Sequence, residues 1–288
     1  MSQPVVVGVD GSGSALDAVR WAAEEAARRD IRLRLVHAFE LPVGYPPGFV
    51  DAKALYDALA AQAKESLEQA RALAEETAPG LSVEVVDVQA GAVPALVAES
   101  DGAAVLALGS RGLGGFTGLV VGSTAVALVA RSRCPVVVVR GPGQDGPVVV
   151  GVDGTPTSEG AIAFAMAEAS ARGAELIAVY TWSDVLLELA FTGERDALDV
   201  SRIAEEGWEL LAQRMAGWQE QYPDVRIVRE VVRERASKAL LRYSETARMV
   251  VVGSRGRGGF RGLLLGSTSQ HLLYHASCPV AVVPTGTD

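Results

Sequence analysis

The chain contains one glycine-rich motif twice, with the same spacing in each half. Gly109-Ser110-Arg111-Gly112, nine residues and Gly122-Ser123-Thr124 recur as Gly253-Ser254-Arg255-Gly256, nine residues and Gly266-Ser267-Thr268. The copies are half a chain length apart in a sequence of 288 residues. A repeat at this distance predicts a tandem duplication, because each half must then build the same domain around its own motif.

Further matches between the halves place the domain boundary. Gly8-Val9-Asp10-Gly11 matches Gly151-Val152-Asp153-Gly154, and Cys134-Pro135-Val136 matches Cys278-Pro279-Val280. A short polar segment rich in Gly and Pro, residues 140–146, lies between the matched regions and is typical of a linker. We therefore expect one domain over residues 1–141 and a second over residues 146–288.

Within each half, short apolar runs alternate with amphipathic segments. Alternation of this kind predicts a doubly wound α/β domain, with a parallel sheet and helices on both faces. A helix from about Val121 is expected after the first glycine loop. The predicted strands are Val5–Val9, Leu33–Phe39, Val83–Val88, Ala103–Gly109 and Val136–Val139, then Val148–Val152, Leu176–Thr181, Val225–Val232, Met249–Gly253 and Val280–Val283.

The chemically distinctive residues follow the first and fourth strands of each half. Asp10 comes after the first strand, and the Gly109 loop follows the fourth. In a doubly wound sheet, the ligand crevice lies beyond the carboxyl ends of the strands, where the strand order reverses. We therefore expect Asp10 to meet the Gly109 loop in one crevice, and Asp153 to meet the Gly253 loop in another.

The composition of these loops favours phosphate binding. Glycines allow backbone N–H groups to approach an anion, and the Ser-Thr pairs stand where a helix begins and offers further donors. The chain has no Gly-Lys dipeptide, so it lacks the P-loop lysine. The first turn reads Asp-Gly-Ser-Gly-Ser, which is not a dinucleotide-binding fingerprint.

Composition excludes several classes of function. The formal net charge of −9 disfavours nucleic-acid binding. Neither a signal peptide nor an apolar run long enough to span a bilayer is visible, so we expect a cytoplasmic protein without membrane contact. Cys134 and Cys278 hold equivalent positions in separate domains, and we expect both to be buried free thiols.

The motif resembles that of the universal stress protein family, in its ATP-binding branch. The likeness rests on Gly-x2-Gly-x9-Gly-Ser, on an Asp ending the first strand and on a Cys-Pro pair opening the last strand, each present twice. The likeness covers the whole chain, and the chain most resembles the tandem two-domain members of the family from actinobacteria. Trp182-Ser183-Asp184, after the second strand of the second half, is part of this resemblance.

This resemblance implies a five-stranded parallel sheet of order 3-2-1-4-5 in each domain and one bound ATP per crevice, with or without Mg²⁺. It further implies a homodimer that acts as a nucleotide-dependent regulator in stress or dormancy, without rapid hydrolysis. The residues that it places at the nucleotide are Gly8, Asp10, Val36, His37, Gly109, Ser110, Arg111, Gly112, Gly114, Gly115, Gly122, Ser123 and Thr124 in the first domain, and Gly151, Asp153, Val179, Tyr180, Gly253, Ser254, Arg255, Gly256, Gly258, Gly259, Gly266, Ser267 and Thr268 in the second.

The two loops differ in charge, which predicts that the two sites differ in nucleotide affinity. Leu113 and Thr117 of the first loop stand where the second loop has Arg257 and Arg261. Arg111 and its counterpart Arg255 allow two interpretations: each either contacts phosphate or is a solvated loop charge.

Other interpretations compete with this one. Asp10 and Asp153 suit helix N-caps, and the glycine loops suit ordinary turns. His271, His275 and Cys278 have the residue types of a metal site, but their counterparts in the first half include Ala127 and Arg131, so we expect no metal there. No catalytic Ser/His/Asp set or Cys-x-x-Cys motif is visible, so we expect no catalytic residues. A slow ATPase or nucleotidyl transferase, and a structural protein that has lost its nucleotide, are the alternative functions.

Overall fold

The computed structural model describes residues 2–40, 51–112, 121–141, 144–155, 158–182, 200–256 and 265–285. These residues form two compact units, Met1–Arg140 and Gly141–Asp288. We call them the first and the second unit. Several residues singled out in the sequence lie outside the described part: Gly114, Gly115, Gly258, Gly259, the differing positions 113, 117, 257 and 261, and Ser183 and Asp184.

The first unit has a parallel sheet whose strands lie in the order β3-β2-β1-β4-β5. This order confirms the doubly wound fold that the sequence predicts. Along the chain the elements are β1 (Val5–Gly8), α1 (Gly13–Arg28), β2 (Leu33–Phe39), α2 (Ala52–Thr77), β3 (Val83–Gln89), α3 (Ala92–Ser100), β4 (Val105–Gly109), α4 (Ser123–Arg131) and β5 (Val136–Val139).

The second unit repeats this topology, with its parallel strands in the order β8-β7-β6-β9-β10. Its elements are β6 (Val148–Val152), α5 (Glu159–Arg172), β7 (Leu176–Thr181), α6 (Val200–Gln221), β8 (Ile227–Val232), α7 (Ala236–Ser244), β9 (Met249–Gly253), α8 (Ser267–His275) and β10 (Val280–Val283).

Uninterrupted valine runs form the central strands because the strands are covered on both faces. Val5, Val6 and Val7 of β1 are completely buried, and Val148–Val150 of β6 are equally so. The first helix of each unit packs a face rich in alanine and other apolar side chains against the sheet. Small side chains let the helix lie close to the strands, and this close packing holds the helix N-terminus beside the strand ends.

Each unit also buries one glutamate at the same place on its first helix. Glu25 on α1 is completely buried and pairs with Arg28 and Arg29. Glu168 on α5 is completely buried and pairs with Arg172 at 2.9 Å. A buried carboxylate needs such a cationic partner, because desolvation of an unpaired charge is costly.

Both cysteines are buried free thiols, as the sequence predicts. Each is followed directly by a proline and then by the last strand of its unit. Among the described helices, none combines the length and the apolar character that crossing a bilayer requires.

Candidate functional site

The ends of β1 and β4 frame a cavity of about 510 Å³ in the first unit. These strands are neighbours at the point where the strand order reverses, which is where doubly wound sheets form a crevice. Nine residues predicted from the sequence line this cavity: Gly8, Asp10, Val36, Gly109, Arg111, Gly112, Gly122, Ser123 and Thr124.

Asp10 and the glycine loop meet directly. A Cβ atom added to Gly112 would lie 2.6 Å from Asp10 Oδ2, so the loop backbone passes the carboxylate with no room for a side chain. Asp10 Oδ1 accepts a hydrogen bond of 2.9 Å from the Ser12 N–H. The carboxylate is therefore held in a fixed position at the cavity wall.

The second unit repeats this approach of the glycine loop to an aspartate. Asp153 Oδ1 accepts hydrogen bonds from both the N–H and the hydroxyl of Thr155, at 2.9 and 2.6 Å. A Cβ atom on Gly256 would lie 3.0 Å from Asp153 Oδ2. The loop thus stands slightly farther from the carboxylate than in the first unit.

Neither aspartate is a helix N-cap. Ser12 caps α1, where its hydroxyl accepts from the Ala15 N–H, and Ser158 precedes α5. Both aspartates instead accept from the residue two positions later, in Asx turns. The N-cap interpretation of the sequence is therefore wrong for both.

The N-terminus of α1 holds the base of the first glycine loop. The Ser14 hydroxyl donates to the Arg111 carbonyl, and the Arg111 N–H lies 3.3 Å from Ser14 Oγ. The Ser12 hydroxyl donates to the same carbonyl at 3.3 Å. A Cβ atom on Gly109 would lie 2.6 Å from the Ser14 carbonyl, so only glycine allows this close approach.

Each loop is closed by a hydrogen bond between its own ends. The Gly122 N–H donates to the Ser110 carbonyl at 3.0 Å, and the Gly266 N–H donates to the Ser254 carbonyl at 2.8 Å. The helix that follows has no side-chain cap in either unit. The N–H groups of the first turn are therefore available to an anion at the positive end of the helix dipole.

Apolar residues form much of the wall of the first cavity, and most of them were not predicted from the sequence. A usable signal was the i, i+4 spacing of Ala92 and Leu96 on α3, which turns both side chains to one side. The lining residues that were not among the predicted site residues are Val9, Ala15, Ala92, Leu96, Leu108, Val121 and Ala125.

His37 and Ser110 are predicted site residues that are not among those lining the cavity. His37 lies between the two lining residues Val36 and Ala38, so strand alternation turns its side chain to the other face of β2. Its Nδ1 is 3.5 Å from Asp87 Oδ1 on β3. Ser110 is buried, and its carbonyl closes the loop.

The loop of the second unit is anchored to the end of β10. The Ser254 N–H donates to the Val283 carbonyl at 2.8 Å, and Arg255 Nη2 donates to Thr285 Oγ1 at 3.0 Å. Arg255 is thus hydrogen-bonded within its own unit, whereas Arg111 lines the first cavity. The remaining predicted residues take the positions of their first-unit counterparts: Gly151 in β6, Val179 and Tyr180 in β7, Gly253 ending β9, and Ser267 and Thr268 opening α8.

The residues lining the first cavity include two charged side chains, Asp10 and Arg111. Among the described residues that line the cavity there is neither histidine nor lysine, and Asp10 is the only carboxylate. Among the described residues, no group of three or more His, Cys, Asp or Glu side chains is arranged to hold a metal ion. The rings of His271 and His275 lie 4.6 Å apart on an exposed face of α8, whereas Cys278 is buried.

Comparison with known proteins agrees with the duplication. The sequence profile of the universal stress protein family matches residues 1–140 and again residues 146–284. Universal stress protein Rv2005c of Mycobacterium tuberculosis is 41% identical over 298 residues, covering 98% of this chain and 99% of that protein. Universal stress protein Rv2623 of the same organism is 40% identical over 295 residues, covering 96% and 95%. The crystal structure of a universal stress protein from Archaeoglobus fulgidus has a TM-score of 0.71 at 19% identity and covers 99% of this chain.

Proposed function

The chain belongs to the universal stress protein family, and from this premise we propose that it binds one ATP molecule in each unit. Bound nucleotide then controls the contacts that the protein makes with partners in a stress or dormancy response. The observation that carries the proposal is the first-unit cavity, which is lined by apolar side chains, by a fixed carboxylate and by the N-terminus of a helix without a side-chain cap. Its volume of about 510 Å³ suits a small-molecule ligand.

Each part of this cavity matches one part of ATP. The apolar wall that contains Val36 and Leu96 accepts the adenine ring, and the Asp10 carboxylate accepts hydrogen bonds from ribose hydroxyls. The triphosphate is held by backbone N–H groups of the loop and of the first turn of α4, beginning at Ser123. Arg111 adds a charge-assisted contact to phosphate.

Mg²⁺ fits this set of donors as a companion of the phosphates. It prefers oxygen ligands and usually binds through one or two carboxylates together with substrate phosphates. Asp10 offers the carboxylate, and Ser123 and Thr124 offer hydroxyl oxygens at the same cavity. When bound, the ion would neutralise part of the charge on the triphosphate.

We further propose that hydrolysis is slow. Attack on the γ-phosphate needs a positioned water, and Asp10 lies beside the loop with one oxygen already accepting the Ser12 N–H. A regulator that reports nucleotide occupancy also gains from a long-lived complex. The alternative function is a slow ATPase or nucleotidyl transferase, in which the same cavity turns its ligand over.

Mass spectrometry of the purified full-length protein tests binding most directly. The protein is first desalted to remove loosely bound small molecules and is then denatured. We expect it to release two ATP molecules per chain. A chain that carries no nucleotide and binds no added ATP would support the interpretation as a structural protein without ligand.

Single-turnover incubation with labelled ATP separates the regulator from the enzyme. We expect ATP to be recovered intact after it has equilibrated with excess protein. Prompt formation of ADP, lost in an Asp10→Asn variant, would instead assign the protein to the ATPases.

We also propose that the protein is a homodimer. Light scattering during size-exclusion chromatography measures the mass directly, against 30.0 kDa for one chain. A mass that stays at one chain over a wide range of concentration would rule the dimer out.

A further inference from the structure

Helix α7 and the segment that joins it to β8 carry four cationic side chains that the first unit lacks. Strand registers give the alignment of the two units. Val83 pairs with Leu33 in the first unit, and Ile227 pairs with Leu176, the first residue of β7, in the second, so Val83 and Ile227 are equivalent. At the four aligned positions the second unit has Arg233, Arg235, Lys238 and Arg242, and the first unit has Gln89, Gly91, Pro94 and Ala98.

This segment belongs to the wall of the crevice. In the first unit Ala92 and Leu96 on α3 line the cavity, and a Cβ atom on Gly8 would lie 3.0 Å from Leu96. The second unit repeats this packing, because a Cβ atom on Gly151 would lie 2.9 Å from Leu240 on α7. Helix α7 therefore stands where α3 stands, and its N-cap, Arg235, lies at the rim of the second crevice.

Two of these cations, Arg233 and Arg235, are exposed and have no carboxylate partner among the described residues. Lys238 and Arg242 share Glu234, at 3.2 and 3.5 Å. The Arg233 guanidinium lies over the Trp182 ring, 5.4 Å from its centroid, at the end of β7. We call Arg233 and Arg235 the rim arginines.

The rim arginines add positive charge at a place where the helix dipole is already positive. Arg235 stands at the positive end of the α7 dipole, and the neighbouring Glu234 carboxylate is already shared by Lys238 and Arg242. The first unit has the opposite charge here, because Glu40 Oε2 would lie 2.9 Å from a Cβ atom on Gly91. The two crevices thus differ in the charge of one wall.

We propose that the second crevice takes an adenine nucleotide that carries a further phosphate at its nucleoside end, and that the rim arginines bind this phosphate. This rests on the proposed function, which places the 5′-phosphates at the Gly256 loop after β9. From β9 to β8 the sheet takes three strand steps, about 14 Å in all. The rim arginines therefore reach the end of the ligand that is opposite to its 5′-phosphates.

The test compares two ligands that differ by one phosphate, 5′-AMP and adenosine 3′,5′-bisphosphate, by calorimetry on the full chain. A Gly112→Val variant blocks the first crevice, since any side chain there meets Asp10, and leaves the second to be measured. We expect the bisphosphate to bind about tenfold more tightly than AMP, from charge-assisted contacts to two arginines. Equal affinities for the two ligands would overturn the proposal.

Variants locate the preference on the rim. In the double variant Arg233→Gln with Arg235→Gly, which copies the first unit, we expect the preference for the bisphosphate to disappear while AMP binding persists. Arg226→Gln is the matched control, because Arg226 lies before the other end of β8 and pairs with Glu175. A preference that survives in the double variant, or that disappears in the control, counts against the rim arginines.

The outcome for ATP separates this proposal from the function on which it rests. If neither ATP nor AMP binds either crevice, the proposed function fails. If both bind and the bisphosphate has no advantage, only the role of the rim arginines fails.

Discussion

At the scale of single residues, the contact between the loop glycine and the strand aspartate distinguishes the two sites. A Cβ atom on Gly112 would lie 2.6 Å from the Asp10 carboxylate, and a Cβ atom on Gly256 would lie 3.0 Å from the Asp153 carboxylate. The first loop therefore leaves less space for a side chain than the second. The first distance is well below the usual range of non-bonded Cβ contacts, so a group must move, whereas the second requires only a shift of a few tenths of an ångström. The same methyl group therefore disturbs the first site more than the second.

Gly112→Ala and Gly256→Ala should accordingly behave differently in ATP titrations of the full chain. We expect Gly112→Ala to weaken one site by at least about tenfold, which corresponds to about 1.4 kcal/mol. We expect Gly256→Ala to weaken the other site by less. Identical stoichiometry and affinity in the two variants would show that the sites are equivalent.

A buried serine at the end of α3 is hydrogen-bonded to the segment that precedes β5, and its counterpart makes the same link in the second unit. The Ser100 hydroxyl donates to the Val97 carbonyl at 2.6 Å and accepts from the Arg133 N–H at 3.2 Å. Ser244 donates to Leu241 at 2.6 Å and accepts from the Ser277 N–H at 3.1 Å. Each hydroxyl satisfies a backbone donor outside regular structure.

Removal of this hydroxyl leaves the donor without its partner. We expect Ser100→Ala and Ser244→Ala each to lower the free energy of unfolding by about 1–3 kcal/mol in urea titrations. Ser277→Ala is the control, because that side chain is exposed and the backbone N–H remains. A loss as large in the control as in Ser244→Ala would show that the hydroxyl contributes nothing specific.

Burial raises the pKa of the Cys134 thiol to about 12, against 9.0 for an exposed cysteine. Because the folded state holds this proton more tightly than the unfolded state, the free energy of unfolding falls as the pH rises through this interval. Below pH 9 the thiol is protonated in both states and has no effect on the pH dependence.

We therefore expect wild-type protein to lose stability between pH 9 and 12 more steeply than Cys134→Ala. The difference in slope should reach at most about 1.4 kcal/mol per pH unit, the value for one proton. Urea titrations at pH 8, 9.5 and 10.5 measure it. Parallel curves for the two proteins would mean that the folded thiol titrates normally.

At the scale of elements, the strands were predictable because their apolar runs are buried on both faces. Leu33–Phe39 and Val136–Val139 have the bounds that the sequence predicts. The first residues of helices were harder to predict. Helix α4 begins at Ser123 and not at Val121, because Gly122 keeps an extended backbone and acts as the N-cap. The Ser14 contacts to Arg111 join positions 97 residues apart, which no local pattern reveals.

These contacts make the N-terminus of α1 a support for the loop. We expect Ser14→Ala to weaken ATP binding in the first unit by about three- to tenfold, because the loss of two hydrogen bonds to Arg111 loosens the loop base. Hydrogen exchange at Arg111 and Gly112 should become faster, with little change in the urea midpoint. Unchanged exchange together with unchanged affinity would show that the loop is positioned without this hydroxyl.

At the scale of the whole molecule, the repeated motif was enough to predict two copies of one fold and the edge of the first unit's sheet at which the cavity lies. The apolar wall was not predicted, because Ala92 and Leu96 resemble ordinary core residues until α3 is placed beside β1. The charge difference between α3 and α7 is visible in the sequence, but its position at a crevice rim depends on packing against Gly8 and Gly151.

The hydrogen bond that closes each loop has a consequence for how the protein can change over evolutionary time. Because Gly122 is bonded to Ser110, and Gly266 to Ser254, the ends of the intervening segment are fixed to each other independently of its sequence. The free-energy cost of closing a flexible loop rises only slowly with the number of residues in it. The closing bond is present in both units although Leu113 and Thr117 of the first unit stand where the second has Arg257 and Arg261, so both sequences are compatible with the same pair of fixed ends.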